Sequence, residues 1–264
     1  MNYLVLMKQV PKFSKVRLDP ETHNLIREGL QVIVNPSDLN ALELAIQVKK
    51  DNGGKITVLT MGPDVAAEMV QEAIARGADD GYVLSSLAFR GSDTLATSYA
   101  LSKAIESIGT FDMVFCGTNT LDGDTAQVGP EVAEHLGLNQ CTYVKSLSVK
   151  DGQITALRAL EGRIEKQKLP TPALLTVMRN DDEVGKISKD KVNSVPASKV
   201  TIISDKDIDA AADRLGAAGS PTIVNEVFDT ERRATGTHLE GSVDKQVEEL
   251  VAILQREHIL GRDA

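Results

Sequence analysis

Tryptophan is absent and aromatic residues make up only 3% of the chain, so a flat ring bound here must lie against backbone, aliphatic groups or another subunit. Cysteine is scarce as well. Cys116 and Cys141 are too few and too far apart for a zinc site or a CxxC redox pair, and read as small core residues. No apolar run approaches the roughly 18 residues that a membrane-spanning helix needs. Positive charge is in deficit: 29 Lys and Arg stand against 38 Asp and Glu, a formal net charge of −9. That excludes a general nucleic-acid binder, whose phosphate affinity comes from clustered cations. Residues 1–10 are apolar with Lys8 late among them, whereas a signal peptide puts its positive charge first. They read as a buried first strand, and the chain as cytoplasmic. The four histidines, His23, His135, His238 and His258, have no metal-binding spacing, and no Ser or Cys stands in a nucleophile-elbow context. Neither a metal nor a catalytic acid, base or nucleophile is expected.

What the chain does have is alternation. Strand-like runs at 3–7, 55–61, 81–84 and 113–116 are separated by helical patterns at 38–51, 65–76, 93–108 and 126–136. The helices carry start and stop signals: Ser37 or Asp38 can cap the first, Gly77 ends the second, Asp93 can cap the third and Gly137 ends the fourth. Short strands alternating with such helices imply βαβ units, a parallel sheet and helices on both faces. A polar excursion at 16–33, with Asp19-Pro20 and Glu28-Gly29 turn signals, reads as an inserted hairpin. Strands at 142–149, 153–160 and 163–168 follow, joined by turns at Asp151-Gly152 and Glu161-Gly162, and an apolar strand at 172–178 returns to the core. From about Arg179 the chain is polar and broken by glycine. Its last segment, 243–260, places Val247, Leu250, Val251 and Leu254 on one helical face, a stripe expected to bury itself on a partner chain. The expected division is 1–179 for a nucleotide-binding domain and 180–264 for a C-terminal arm.

In an open parallel sheet, ligands bind beyond the carboxyl ends of the strands, where strand order reverses. The loop after the fourth strand, from Gly117 to Pro130, leads into a helix, and its amides with the positive helix end make a natural diphosphate seat. Gly123 and Gly129 would let a ligand come close. Asp122 and Asp124 would cap the helix or turn the loop, while Thr125 and Gln127 offer neutral hydrogen bonds. A capped helix after a polar loop reads from the same spacing. Asn35-Pro36-Ser37-Asp38 is a second candidate contact, for an adenine edge with Met61 on its face, although capping explains it equally well. With no acid–base machinery beside it, a nucleotide seat implies that a bound cofactor does the chemistry.

Lys8-Gln9-Val10-Pro11, Asn35-Pro36 with Ala41-Leu42-Glu43, Thr60-Met61-Gly62-Pro63, Ala75-Arg76-Gly77-Ala78-Asp79 and the block Asp122-Gly123-Asp124-Thr125-Ala126-Gln127-Val128-Gly129-Pro130 resemble the β subunit of electron transfer flavoproteins. The resemblance runs in order over 1–179. It implies an α/β fold, a doubly wound, mostly parallel, Rossmann-like sheet of the adenine-nucleotide-binding type, with a strand-rich insert and an extended C-terminal arm. It also implies an obligate α subunit that carries one FAD. The β subunit's own pocket takes AMP in the housekeeping type, a structural and dehydrogenase-docking module. In the electron-bifurcating type of anaerobes it takes a second FAD that exchanges hydride with NAD(H). Gly91-Ser92-Asp93-Thr94-Leu95-Ala96-Thr97-Ser98, similar to an extra segment near the NAD site, Val177-Met178-Arg179 and Gly219-Ser220-Pro221-Thr222 resemble the bifurcating branch. Carried over by motif, the cofactor pocket is Leu6, Asn35, Pro36, Ser37, Asp38, Met61 and the run Asp122, Gly123, Asp124, Thr125, Ala126, Gln127, Val128, Gly129, Pro130, Glu131, Val132 and Ala133, with Gly62, Asp93 and Thr94 near the NAD site. The implied electron partners are a flavin-dependent dehydrogenase, of acyl-CoA or 2-hydroxy-acid type, and ferredoxin or flavodoxin. Two departures stand out: Thr118-Asn119 replaces the family's basic residue and Gln, and residues 181–191, where the family docks acyl-CoA dehydrogenases, are only weakly similar. A free-standing ATP-binding domain of the stress-protein type is the distant rival; it leaves the C-terminal arm unexplained.

Overall fold

Strand and helix alternate through the first half as the periodicity requires. In the computed structural model, which describes residues 1–12, 32–180, 184–223, 236 and 238–260, β1 (Asn2–Leu6) is followed by a small antiparallel pair, β2 (Gln9–Pro11) and β3 (Val32–Val34). The hairpin expected at 16–33 lies almost wholly outside the described residues; β2 and β3 flank it. Then come α1 (Pro36–Asn52), β4 (Lys55–Met61), α2 (Ala67–Arg76), β5 (Asp80–Leu84), α3 (Thr94–Ile108), β6 (Met113–Gly117) and α4 (Val128–His135). The second half supplies β7 (Asn139–Lys150), β8 (Gln153–Leu160), β9 (Arg163–Pro170), β10 (Ala173–Val177), α5 (Lys189–Asn193), β11 (Val200–Ile203) and α6 (Val243–Arg256).

Among the described residues nine strands form one sheet in the order β11-β5-β4-β1-β6-β10-β7-β8-β9. Pairing is parallel from β11 through β7; the β7–β8 and β8–β9 pairings are antiparallel, so among the described strands of this sheet β8 alone runs against the rest. Successive residues of β1 point to opposite faces and so feed two cores. Tyr3 and Val5 pack with Leu42 of α1, Met69 and Val70 of α2 and Phe115 of β6. Leu4 and Leu6 pack with Tyr99 and Leu101 of α3, Val132 and Ala133 of α4 and Leu84 of β5. The sheet is therefore doubly wound, as read from the sequence. The chain winds outward from β1 to β4 and β5, then crosses back to place β6 on the other side of β1. This reversal lies between β1 and β6.

The chain divides into two units, Met1–Asn225 and Glu226–Ala264. The sheet continues past residue 179, where the sequence reading ended the domain: β11 pairs in parallel with β5 from Val200↔Gly81 to Ile203↔Leu84. Ile208 and Leu215 are buried in the second core, the hydroxyl of Tyr99 accepts the Ala211 N–H at 3.0 Å, and the Arg214 guanidinium lies 3.7 Å from the Tyr99 ring centre. In the second unit, α6 is capped by Ser242, whose hydroxyl accepts the Lys245 N–H, and Val243, Val247, Leu250 and Val251 are exposed.

Candidate functional site

β1 and β6 are paired only as far as Val5 and Phe115. Beyond that point β1 stays with β4, the Met7 N–H donating to Leu59 O at 3.0 Å, while β6 stays with β10, the Thr118 N–H donating to Val177 O at 2.8 Å. The strands part, and the amides of Lys8 and Gly117 face a fork instead of a ladder. Asp38 of α1 supplies both acceptors: Oδ2 takes the Lys8 N–H and Oδ1 the Gly117 N–H, each at 2.8 Å. Its side chain is buried. Burial pushes the carboxyl up to about 7, against the pull of the Gly117 and Lys8 amides, Asn35 and the Lys8 charge. A Cβ at Gly117 would stand 2.6 Å from Ser37 Cβ and closer still to Asp38 Oδ1, so only glycine admits the carboxylate here. The capping role read for Ser37 or Asp38 is corrected. The residue before α1 is Asn35, no side chain caps the helix, and the Asp38 carboxylate is turned to the fork.

Asn35, also buried, fastens the loop after β6 to the start of α1. Its Nδ2 donates to Asn119 O at 2.9 Å, its Oδ1 accepts the Leu121 N–H at 3.3 Å, and its own N–H donates to Lys8 O at 2.9 Å. Asn119 accepts from the Ser37 hydroxyl at 3.5 Å and donates to Asp124. Lys8 Nζ lies 2.7 Å from Asp122. Burial works to raise the Asp122 carboxyl, but the Lys8 ammonium, Thr120 and the Gly123 amide hold it below its ordinary value. The two acidic residues of the loop are thus engaged from within the chain. Neither caps α4, whose N-terminus follows Gln127 without any side-chain cap.

Asp124 and Ala126 both have positive φ, 51° and 56°. For an alanine this left-handed conformation is uncommon and costs on the order of 1–2 kcal/mol. Gln127 then returns to the right-handed region at φ −96°, ψ −38°. A left-handed residue followed by a right-handed one turns successive N–H groups to one side, forming a concavity for anions. The positive end of α4 adds to it. The two glycines of the motif divide their work. Around Gly123 the space is open, the nearest atom being Thr120 Oγ1 at 3.6 Å. A Cβ on Gly129 would meet Cys116 Sγ and Thr176 Cγ2, both at 2.8 Å, so this glycine serves the packing of α4 on the sheet. Val132 and Ala133 are fully buried in the same packing, and Leu6 and Met61 form an apolar wall at the ends of β1 and β4.

The residues read as lying near an NAD site are only partly brought to this crevice. Thr94, first in α3, donates to Glu131 Oε1 at 3.2 Å and lies 3.4 Å from Gln127 Oε1, joining the starts of α3 and α4. Asp93 is engaged elsewhere. Its Oδ1 accepts the Ala96 N–H as the cap of α3, and its Oδ2 accepts the Thr222 N–H at 3.1 Å and hydroxyl at 2.7 Å. Its own N–H donates to Ser220 Oγ at 2.8 Å. Burial opposes its ionisation, yet the bonds from Ala96 and Thr222 hold its carboxyl below the ordinary value. Gly62 is tied to the end of β5 through Leu84 O.

Three residues of the crevice stand outside the pocket carried over by motif, although Lys8 lies in a quoted motif and Gly117 and Asn119 in the loop read as the diphosphate seat. Each stands within two residues of the end of a strand, the position at which an open sheet places its ligand contacts. Among the described residues no helix is long and apolar enough to cross a membrane, and no group of three or more His, Cys, Asp and Glu side chains could hold a metal ion.

Comparison with known proteins agrees with this architecture. The family model for the electron transfer flavoprotein domain matches residues 22–204. The chain is similar to the electron transfer flavoprotein subunit beta of Thermoanaerobacterium thermosaccharolyticum, 43% identical over 98% of this chain and all of that protein. It is 37% identical, over 98% of this chain and all of the relative, to the caffeyl-CoA reductase-Etf complex subunit CarD of Acetobacterium woodii. The protein FixA of Sinorhizobium fredii is 41% identical over 86% of this chain and 83% of its own length.

Proposed function

The chain belongs to the electron transfer flavoprotein family as a β subunit, and on that premise we propose that its crevice holds an FAD which exchanges hydride with NAD(H). The work is done in a heterodimer with the α subunit. The pair divides or joins electrons between a flavin-dependent dehydrogenase and ferredoxin or flavodoxin. The observation that carries this reading is the anion concavity at 126–128, in a loop whose first half is fastened to Lys8 and Asn35 beside the reversal of strand order. The donors match a diphosphate. They are backbone amides and a helix end, with the two neighbouring carboxylates already engaged by Lys8 and Asn119.

In this role Asn35 and Asp38 would fix the crevice, Leu6 and Met61 would offer apolar surface to a flat ring, and the backbone of 126–128 would hold the phosphates, since the amides of Gly123 and Asp124 are taken by Asp122 and Thr120. When bound, the flavin supplies the redox chemistry, taking two electrons from a nicotinamide and releasing them singly. Thr94 sets the rim through its bond to Glu131. The exposed apolar residues Val243, Val247, Leu250 and Val251 of α6 give the C-terminal arm a face with which to embrace the α subunit. Similarity to a subunit whose name places it in a caffeyl-CoA reductase complex supports a dehydrogenase partner of acyl-CoA type.

The test is to co-express the chain with its α subunit and measure FAD and AMP released per heterodimer. Two FAD and no AMP is the expected result. One FAD with one AMP would replace this mechanism by a scaffold and docking role for the same crevice.

A further inference from the structure

The fork between β1 and β6 is filled by one carboxylate, and both of its oxygens are used by the protein itself. Each oxygen of Asp38 thus faces a backbone amide, although the residue lies in a segment read as ligand-contacting. It does hold the two backbone segments from which the crevice is built. One amide belongs to Lys8, whose ammonium is paired with Asp122 of the loop. The other belongs to Gly117, where that loop begins. The fork is narrow enough that glycine is required opposite the carboxylate.

We propose that Asp38 is a positioning residue for the nucleotide: by joining the Lys8 and Gly117 amides across the fork it sets the floor of the crevice, and nucleotide affinity follows its ionisation. The inference rests on the reading of the crevice as a nucleotide site. A carboxylate accepts on both oxygens, whereas a carboxylic acid carries a proton on one of them. The protonated oxygen is the poorer acceptor, so protonation weakens one arm of the staple, and either arm leads to the loop that bears the anion concavity.

The surroundings leave Asp38 as the group here that changes charge near neutrality. Burial lifts its carboxyl into that range. The Lys8 ammonium helps to hold the Asp122 carboxyl below its ordinary value, Asp124 accepts from Asn119, and burial, with Asp38 beside it, pushes the Cys116 thiol far up.

The test uses the heterodimer stripped of nucleotide. The probes are FAD and the methyl ester of AMP, because neither phosphate group titrates across the neutral range. Affinity is measured from about pH 5.5 to about pH 8.5. Wild-type affinity is expected to be constant above pH 7 and to weaken below it, approaching about tenfold per pH unit. Asp38→Asn presents an acceptor to one amide and a donor to the other. It should bind at least about tenfold more weakly at pH 8 with a flat profile. Should that variant fail to fold, the wild-type profile decides alone. A flat wild-type profile, or affinity that rises as pH falls, overturns the proposal while leaving the nucleotide site intact. So does an Asp38→Asn profile that matches wild type. If wild type binds neither probe at any pH, the reading of the crevice falls, and this proposal with it.

Discussion

The ends of β4 and β5 and the ends of β1 and β6 solve the same problem in opposite ways. At β4 and β5 the ladder runs to the last residues, Met61 opposite Leu84, and the backbone continues it: the Gly62 N–H donates to Leu84 O, and the Ser85 N–H to Ile203 O of β11. The following loops are joined by the Ser85 hydroxyl donating to Asp64 at 2.5 Å. At β1 and β6 the pairing stops early, and a buried side chain replaces it. The difference follows from winding direction. Where successive strands are laid down on the same side, each new strand satisfies the previous one. Where the direction reverses, two neighbours lead their chains to opposite faces, and their last amides need another partner. A crevice between two strands thus costs a buried ionisable group.

That cost gives the largest effect with which to break the comparison. Asp38 has a folded value near 7 against an ordinary 3.8. Between those values the folded chain binds more protons than the unfolded one, so this group's contribution to stability declines as pH rises across that window and is constant outside it. The stability gap between wild type and Asp38→Asn should therefore widen as pH falls from about 7 to about 4. On the order of a few kcal/mol is expected, read from urea unfolding at each pH. A gap that stays constant with pH would show that the staple carries no titrating charge.

Next in size is a glycine pair that contrasts the two places. Gly117→Ala should destabilise by about 1–3 kcal/mol, since its Cβ meets Asp38 and Ser37. Gly62→Ala, where the nearest atom is Ala66 Cβ at 3.6 Å, should change stability by no more than about 0.5 kcal/mol in the same assay. Equal losses at the two positions would mean that the fork is no tighter than the ordinary strand end. Asp93→Ala removes the cap of α3 together with the bonds to Thr222. It should lose about 1–2 kcal/mol, with faster hydrogen exchange at the Thr222 amide as its local signature. The smallest effect belongs to Lys8→Met. Its pair with Asp122 is partly exposed, with 46% and 29% of the two side chains accessible. About 0–1 kcal/mol is at stake, and it should vanish in high salt.

Much of this was legible before the structure. Strands β1, β4, β5 and β6 are short apolar runs between helices with clear stops, and Gly77 and Asp93 end and begin helices as read. The loop after β6 was found because its length and polarity are visible locally. The fork was not, because it is made by residues far apart in sequence: Asp38 and Gly117 stand 79 positions from each other. Asp38 reads as a helix cap until the strands are placed. β11 was missed because it is only four residues long, and the buried residues beyond it, Ile208 and Leu215, come singly in a polar stretch that shows no period. The cap at Asp93 is local and legible, whereas the bonds of the same carboxylate to Thr222 join residues 129 positions apart and leave no local signal.

Among the described residues the sheet of nine strands has two borders, β11 and β9. β9 reads Arg-Ile-Glu-Lys-Gln-Lys-Leu-Pro, charged at four of its eight positions and ending in a residue with no N–H to offer. β11 is four residues long. A border that is brief, or that bristles with like and unlike charge, is a poor template for the strand of another molecule. Such borders work against the long sheet on which the crevice depends adding strands from another chain.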